Sequence, residues 1–183
     1  EGFDSQQQVE GFESMLTAIG YSIVIVYIIM ALTFRSLIHP FTILFSLPFA
    51  LVGAALALFL TNSVLGISAM IGLMMLVGIV VTNGIVLMEL VQQLRAKGQT
   101  VYDALVEGGR TRLRPIWMTA LTAILALIPL AASNEAGAII ASELARAVMG
   151  GLLVSTALTL IVVPVVYSLT DQLWVKLVSL FKR

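Results

Sequence analysis

The sequence contains no cysteine, and only 11% of its 183 residues are Asp, Glu, Lys or Arg. The first absence removes disulfides and thiol chemistry. The second removes the charged surface that a soluble domain of this length carries. Ten basic and ten acidic residues cancel, so no charge excess points to a nucleic-acid partner. Histidine is nearly absent too. The one residue, His39, sits in a basic turn, where a surface or headgroup contact is its natural use, and no catalytic role is assigned to it.

What is present is apolar: 60% of the chain is hydrophobic and the mean hydropathy is +1.06. The apolar residues fall in five uncharged runs, 15–34, 41–60, 67–88, 116–132 and 147–170. Runs of about 20 residues match the roughly 30 Å bilayer core that a helix must cross. No period-2 alternation runs through them, which favours helices over a lipid-exposed barrel. The expected fold is therefore all-α: a polytopic membrane helix bundle with five transmembrane helices.

Short cytoplasmic loops collect Lys and Arg. Arg35, Arg95, Lys97, Arg110, Arg112, Arg114, Lys176, Lys182 and Arg183 all fall on one side of the five runs, and only Arg146 falls on the other. This predicts an N-terminus outside and a C-terminus in the cytoplasm. An external start with no basic n-region or cleavage site predicts a piece of a longer chain.

Outside the spans, Val9, Phe12 and Met15 recur at helical spacing, which predicts a short surface helix before the first run. Residues 100–108 have apolar Tyr102, Ala104, Leu105 and Val106 among charges and precede Gly108-Gly109. They predict a separate interfacial helix ended by the glycine pair. Residues 171–182 predict a second one, with Leu173, Trp174, Leu177 and Phe181 among basic residues. Pro48, Pro129 and Pro164 each remove a backbone donor and predict bends. Gly66, Gly72, Gly78, Gly84, Gly150 and Gly151 predict close helix approach.

Function in a membrane protein is sought where polarity survives despite its cost. Thr82 and Asn83 lie in the third run, Thr119 and Thr122 in the fourth, and Arg112 at the fourth run's entrance. Thr82 and Glu89 are seven residues apart and share a helical face, as do Arg112 and Thr119. At about 1.5 Å per residue, Thr82, Asn83 and Thr119 each lie roughly 7 to 8 Å from the bilayer centre toward the basic side, so the three could meet. The ordinary use of a membrane threonine is a bond to its own i−4 carbonyl, and of a single Asn to hold two helices together. The arginines serve equally as positive-inside determinants. No span holds Asp, Glu, Lys, Arg or His, so these residues can respond to a titrating acid but cannot replace one.

Gly78-Ile-Val-Val-Thr-Asn-Gly-Ile-Val-Leu-Met-Glu89, Leu94-Arg-Ala-Lys-Gly98 and Glu107-Gly-Gly-Arg-Thr-Arg-Leu-Arg-Pro-Ile-Trp-Met-Thr119 closely resemble the tenth helix, connecting helix and eleventh helix of resistance-nodulation-division efflux pumps. Phe34-Arg-Ser-Leu-Ile-His-Pro40 resembles the turn after their eighth helix, and Val148-Met-Gly-Gly151 the start of their twelfth. The resemblance implies spans eight to twelve of a twelve-helix secondary transporter of the bacterial inner membrane, not an enzyme, driven by protons and exporting amphiphilic small molecules. It implies a homotrimer, a periplasmic adaptor and outer-membrane channel as partners, membrane lipid around the spans, no cofactor, and relay acids on helices outside this chain. Thr82, Asn83, Arg112 and Thr119 then form the responding side of the proton relay. One departure stands out: the best-studied multidrug members place Lys just before the Asn, where this chain has Thr82, and a hydroxyl cannot replace an ammonium without changing the relay's charge balance. A related fold that moves lipids or assists protein translocation is the alternative; an intramembrane hydrolase finds no HExxH, GxSxG or buried Asp pair.

Overall fold

The computed structural model describes residues 2–133 and 139–181, with side-chain surroundings for 9–133 and 141–172. All regular structure among them is helical: α1 (Gly2–Phe34), α2 (Ile38–Leu44), α3 (Leu47–Leu60), α4 (Ile67–Ala96), α5 (Val101–Ala132) and α6 (Ile139–Phe181). Five stretches are long and apolar enough to cross a membrane: Val9–Phe34, Ile38–Leu60, Ile67–Ala96, Val101–Ala132 and Ala141–Gln172. The second is built from α2 and α3 together. In hydrocarbon no water pairs with backbone N–H and C=O groups, so uninterrupted helices are what such a sequence can form.

The one break inside a span has a local cause. Pro48 has no N–H to give the carbonyl four residues back, Leu44, which is the last residue of α2. Phe45 and Ser46 bridge the gap. The Ser46 hydroxyl donates to Ile43 O at 2.7 Å and its N–H to the same carbonyl at 3.0 Å. The expected interruption at Pro48 is thus present, whereas α5 and α6 remain helical through Pro129 and Pro164.

Three expected boundaries are corrected. The approach before residue 15 is not a separate helix but part of α1. The interfacial helix at 100–108 does not end at Gly108-Gly109 but continues through Pro115 into the fourth span, as one α5. A glycine ends a helix when it takes up the left-handed conformation, and among the described glycines only Gly98, at φ +92°, does so. There Gly98 N–H donates to Arg95 O and Gln99 N–H to Leu94 O, a Schellman ending for α4, and Thr100 caps α5 by accepting from Asp103 N–H at 3.1 Å. Gly108 serves instead as a contact point, because a Cβ there would lie 2.9 Å from Val91 Cγ2. The stretch expected as a second interfacial helix at 171–182 continues α6 as far as Phe181. Its side chains beyond 172, and Lys182, lie outside the described residues.

Helix α6 is the hub and packs along α3, α4 and α5, while α1 touches only α2 and α4 to any extent. Leu76, Val80, Leu87, Val91, Ile116, Leu152 and Val163 fill the common core. The tightest seam is between α3 and α6: a Cβ on Gly53 would stand 2.8 Å from Gly150 O, and one on Gly150 would stand 2.8 Å from Gly53 O. Gly72, Gly84 and Gly151 are likewise in close contact, on Leu144, Ile43 and Leu76, and Gly66 meets the Glu143 carboxylate. Gly78 meets nothing within 4 Å, so the packing expected of it is absent.

These contacts separate two substitutions of the same chemical size. Gly150→Ala should destabilise the transporter by about 1 to 3 kcal/mol through overpacking. Gly78→Ala should leave stability unchanged or raise it, since a mid-helix Gly costs up to ~1 kcal/mol relative to Ala. Thermal unfolding of the detergent-purified transporter measures both.

Candidate coupling site

Helix α4 turns a stripe of Leu76, Val80, Gly84, Leu87, Met88 and Val91 into the bundle. Thr82 and Glu89, seven residues apart, lie on its exposed side, and Asn83 is half-buried at the border between the two. Helix α5 packs against α4 and α6 and buries Ile116 and Ala120, while Thr119, between them in the chain, is exposed. A pocket of about 240 Å³ lies between the two helices and α6, lined by Ile79, Thr82, Asn83, Thr119, Ala120 and Leu152. The three polar residues that depth alone placed at one level therefore share one cavity.

The two threonine hydroxyls are committed as donors to their own helices. Thr82 Oγ1 donates to Gly78 O at 2.8 Å, and Thr119 Oγ1 lies 2.9 Å from Ile116 O and 3.2 Å from Pro115 O. Pro115 leaves the carbonyl of Thr111 without its helical partner, and its own carbonyl remains within reach of Thr119. A hydroxyl that donates still has lone pairs to accept with, so both oxygens present acceptors toward the cavity. The Asn83 side chain makes no hydrogen bond among the described residues, and its amide offers two donors and an acceptor at the pocket wall. Such a wall can take up or give a hydrogen bond but holds no charge.

Arg112 does not line this pocket. It lies on the same α5 helix, seven residues or about 10.5 Å before Thr119 and on the same face. Its Nε is buried without a partner among the described residues. An arginine N–H left unpaired in a buried position is costly, which makes Arg112 the group most in need of an acceptor near this seam.

A second polar cluster, at the basic end, was not recognised in the sequence. Arg95 Nη1 donates to Tyr167 Oη at 2.7 Å and to Asp171 Oδ1 at 3.0 Å. The His39 ring stacks on Tyr167 with centroids 5.4 Å apart, and Phe34 meets His39 edge-on at 6.2 Å. The residue to which the sequence gave no role thus joins the start of α2 to α6, whose Tyr167 and Asp171 in turn hold Arg95 at the end of α4. No local pattern announces this, because its members come from four helices. Thr156 and Thr159 were passed over as well; both are 1% exposed and their hydroxyls have no partner among the described residues.

Membrane-crossing helices around a polar, uncharged seam define the class: an integral membrane protein of multi-pass type. Residues 2–171 match the family model described as the AcrB/AcrD/AcrF family, and the chain belongs to that family of efflux transporters. It is similar to the "Swarming motility protein SwrC" of Bacillus subtilis (strain 168), 47% identical over 159 residues, 86% of this chain and 15% of that protein. It is similar also to two crystal forms of a heavy metal efflux pump. Form II gives a TM-score of 0.81 at 30% identity over 91% of this chain, and form I a TM-score of 0.72 at 34% identity over 90%. The chain spans 16% and 17% of those chains. The resemblance read from the Arg112-Leu-Arg-Pro115 region holds at the level of the family.

Magnitudes rank the contacts at the basic end. The Arg95 and Asp171 side chains are 37% and 27% exposed, so Asp171→Asn should cost only about 0.2 to 1 kcal/mol. Tyr167 is 2% exposed in the core, and Tyr167→Ala should cost about 3 to 5 kcal/mol. Chemical or thermal denaturation of the two purified variants should show this order.

Proposed function

We propose that this chain is part of the membrane domain of a proton-motive-force-driven efflux pump of the bacterial inner membrane that exports amphiphilic small molecules. Thr82, Asn83, Arg112 and Thr119 form the responding side of its proton relay. The observation that carries the reading is the shared cavity of Thr82, Asn83 and Thr119, with the unpaired Nε of Arg112 on the same helix face.

The mechanism follows from what these groups can and cannot do. None of the three pocket residues titrates near neutral pH, so the proton resides on an acid supplied by helices beyond this chain. When that acid is ionised, Arg112 and the Asn83 amide favour it with charge and N–H donors. When it is protonated, the hydroxyl oxygens of Thr82 and Thr119 and the amide oxygen of Asn83 accept from it. The seam thus has a different best arrangement for each protonation state, and the rigid α4, α5 and α6 pass that difference along the bundle. With Thr82 where multidrug relatives have Lys, Arg112 is the fixed cation and the balance of charge shifts toward α5. The full subunit would form a homotrimer with a periplasmic adaptor and an outer-membrane channel, with its N-terminal lead-in outside and its basic end in the cytoplasm.

The similarity to a heavy metal efflux pump supports a second cargo class, a metal ion in place of an amphiphile. The relay reading is the same for either cargo.

In the intact transporter reconstituted in vesicles, Arg112→Ala should abolish cargo-dependent proton flux while the subunit stays folded and assembled. Thr82→Ala should reduce flux less, by disturbing an acceptor rather than a charge. Flux at the wild-type level in Arg112→Ala would remove Arg112 from the relay. Measuring flux with an amphiphilic drug and with divalent metal in parallel assigns the cargo.

A further inference from the structure

By the order of the spans in the sequence, Arg146 falls on the opposite side from the other nine basic residues. Its guanidinium ties two elements together, with Nε donating to Ala131 O at 3.0 Å and Nη1 to Ser63 Oγ at 2.8 Å. An arginine has five N–H donors, so three remain after these two bonds. Glu143, one turn earlier on α6, has its carboxylate against Gly66, and no ion pair joins it to Arg146 among the described residues. Among the described residues, therefore, no carboxylate is paired with the Arg146 charge.

Beneath Arg146 lies a cavity of about 420 Å³ between α3, α5 and α6, apolar apart from Thr61 and Arg146 itself. Ala57, Leu60, Ile128, Ala132, Met149 and Gly150 line it. That volume falls within the roughly 300 to 1,000 Å³ of small-molecule sites. Leu60 is 78% exposed and Ile128 45%, so its apolar wall faces outward from the bundle. Three span ends meet at its mouth: α3 finishes at Leu60, α5 at Ala132, and the fifth uncharged run begins just after Arg146. Headgroups lie at the depth of the span ends, and hydrocarbon below it.

We propose that Arg146 and this cavity form a binding site for an anionic phospholipid, with an acyl chain in the cavity and the headgroup phosphate on the guanidinium. The charge fits an anion, since among the described residues this guanidinium, at the level of the span ends, has donors beyond its two bonds and no paired carboxylate. The lining fits a hydrocarbon tail, and an Arg fork matches phosphate geometry. Bound there, the lipid would join α3, α5 and α6 at the same point as the two Arg146 hydrogen bonds. The site is separate from the coupling seam.

The test uses the full transporter in vesicles of phosphatidylglycerol and phosphatidylcholine. A photoactivatable diazirine is placed midway along one acyl chain of either lipid, and crosslinked peptides are mapped by mass spectrometry. Crosslinks at Ile128 or Met149 are expected, with phosphatidylglycerol favoured about fivefold, the effect of one basic residue on an anionic lipid. Arg146→Gln should bring the two lipids level, and Arg146→Lys should retain the preference. Ser63→Ala, which removes a structural bond but no charge, should retain it too. Equal yields from both lipids, or a preference unmoved by Arg146→Gln, would mean boundary lipid only and overturn the proposal. Absence of crosslinks at both residues would mean that the transporter's own segments fill the cavity, and would overturn it too. If Arg146→Gln fails to assemble, the comparison of lipids on the wild type decides. Proton flux in Arg112→Ala is independent of every one of these outcomes, so the two readings fail separately.

Discussion

Everything in this bundle hangs on how closely α6 can approach α3. Lipid tails are as apolar as Leu or Val, so burying those residues between helices gains little, and packing contacts must supply the cohesion. At Gly53 and Gly150 the two backbones come within reach of each other's carbonyls, and no side chain could be inserted there without moving a helix. Fixing α6 against α3 fixes where α4 and α5 can lie, because both pack on the remaining faces of α6. The pocket shared by Thr82, Asn83 and Thr119 includes Leu152, two residues after Gly150, and so depends on that seam.

The two ends of the bundle are fastened differently. At the basic end, Arg95, Tyr167, Asp171 and His39 join three helices through a partly exposed ion pair and an aromatic stack. Most of that strength comes from the buried Tyr167 ring rather than from the charges, which solvent screens. At the other end, Arg146 reaches across to Ala131 and Ser63 and is the cation that ties those elements among the described residues. Between the ends, polar groups are threonine and serine hydroxyls bonded mainly to their own helices, as hydrocarbon surroundings require. Asn83, Arg112, Thr156 and Thr159 break that rule among the described residues, and the first two lie along the α4 and α5 seam of the candidate site.

Much of this was legible in the chain itself. Uncharged runs of about the length a bilayer core requires announced five crossings, and the Arg112-Leu-Arg-Pro115 string with Thr82-Asn83 announced the family. The shared level of Thr82, Asn83 and Thr119 followed from helical rise alone. Boundaries were less legible. Gly108-Gly109 resembles a stop signal, and whether a glycine stops a helix depends on its φ, which composition does not reveal; Gly98 took that conformation and Gly108 did not.

By itself, then, the sequence determined that the chain is a membrane helix bundle with five runs long enough to cross, and that Thr82, Asn83 and Thr119 fall at one level along their helices. These are properties of one helix in one solvent, set by hydropathy and by a rise of about 1.5 Å per residue. Only the tertiary structure decided which helices touch. It made α6 the hub, gave His39 a place in the Tyr167 stack, and set Arg146 over an apolar cavity. Those outcomes depend on azimuth and on contacts between residues as far apart as Ser63 and Arg146, which no local periodicity encodes.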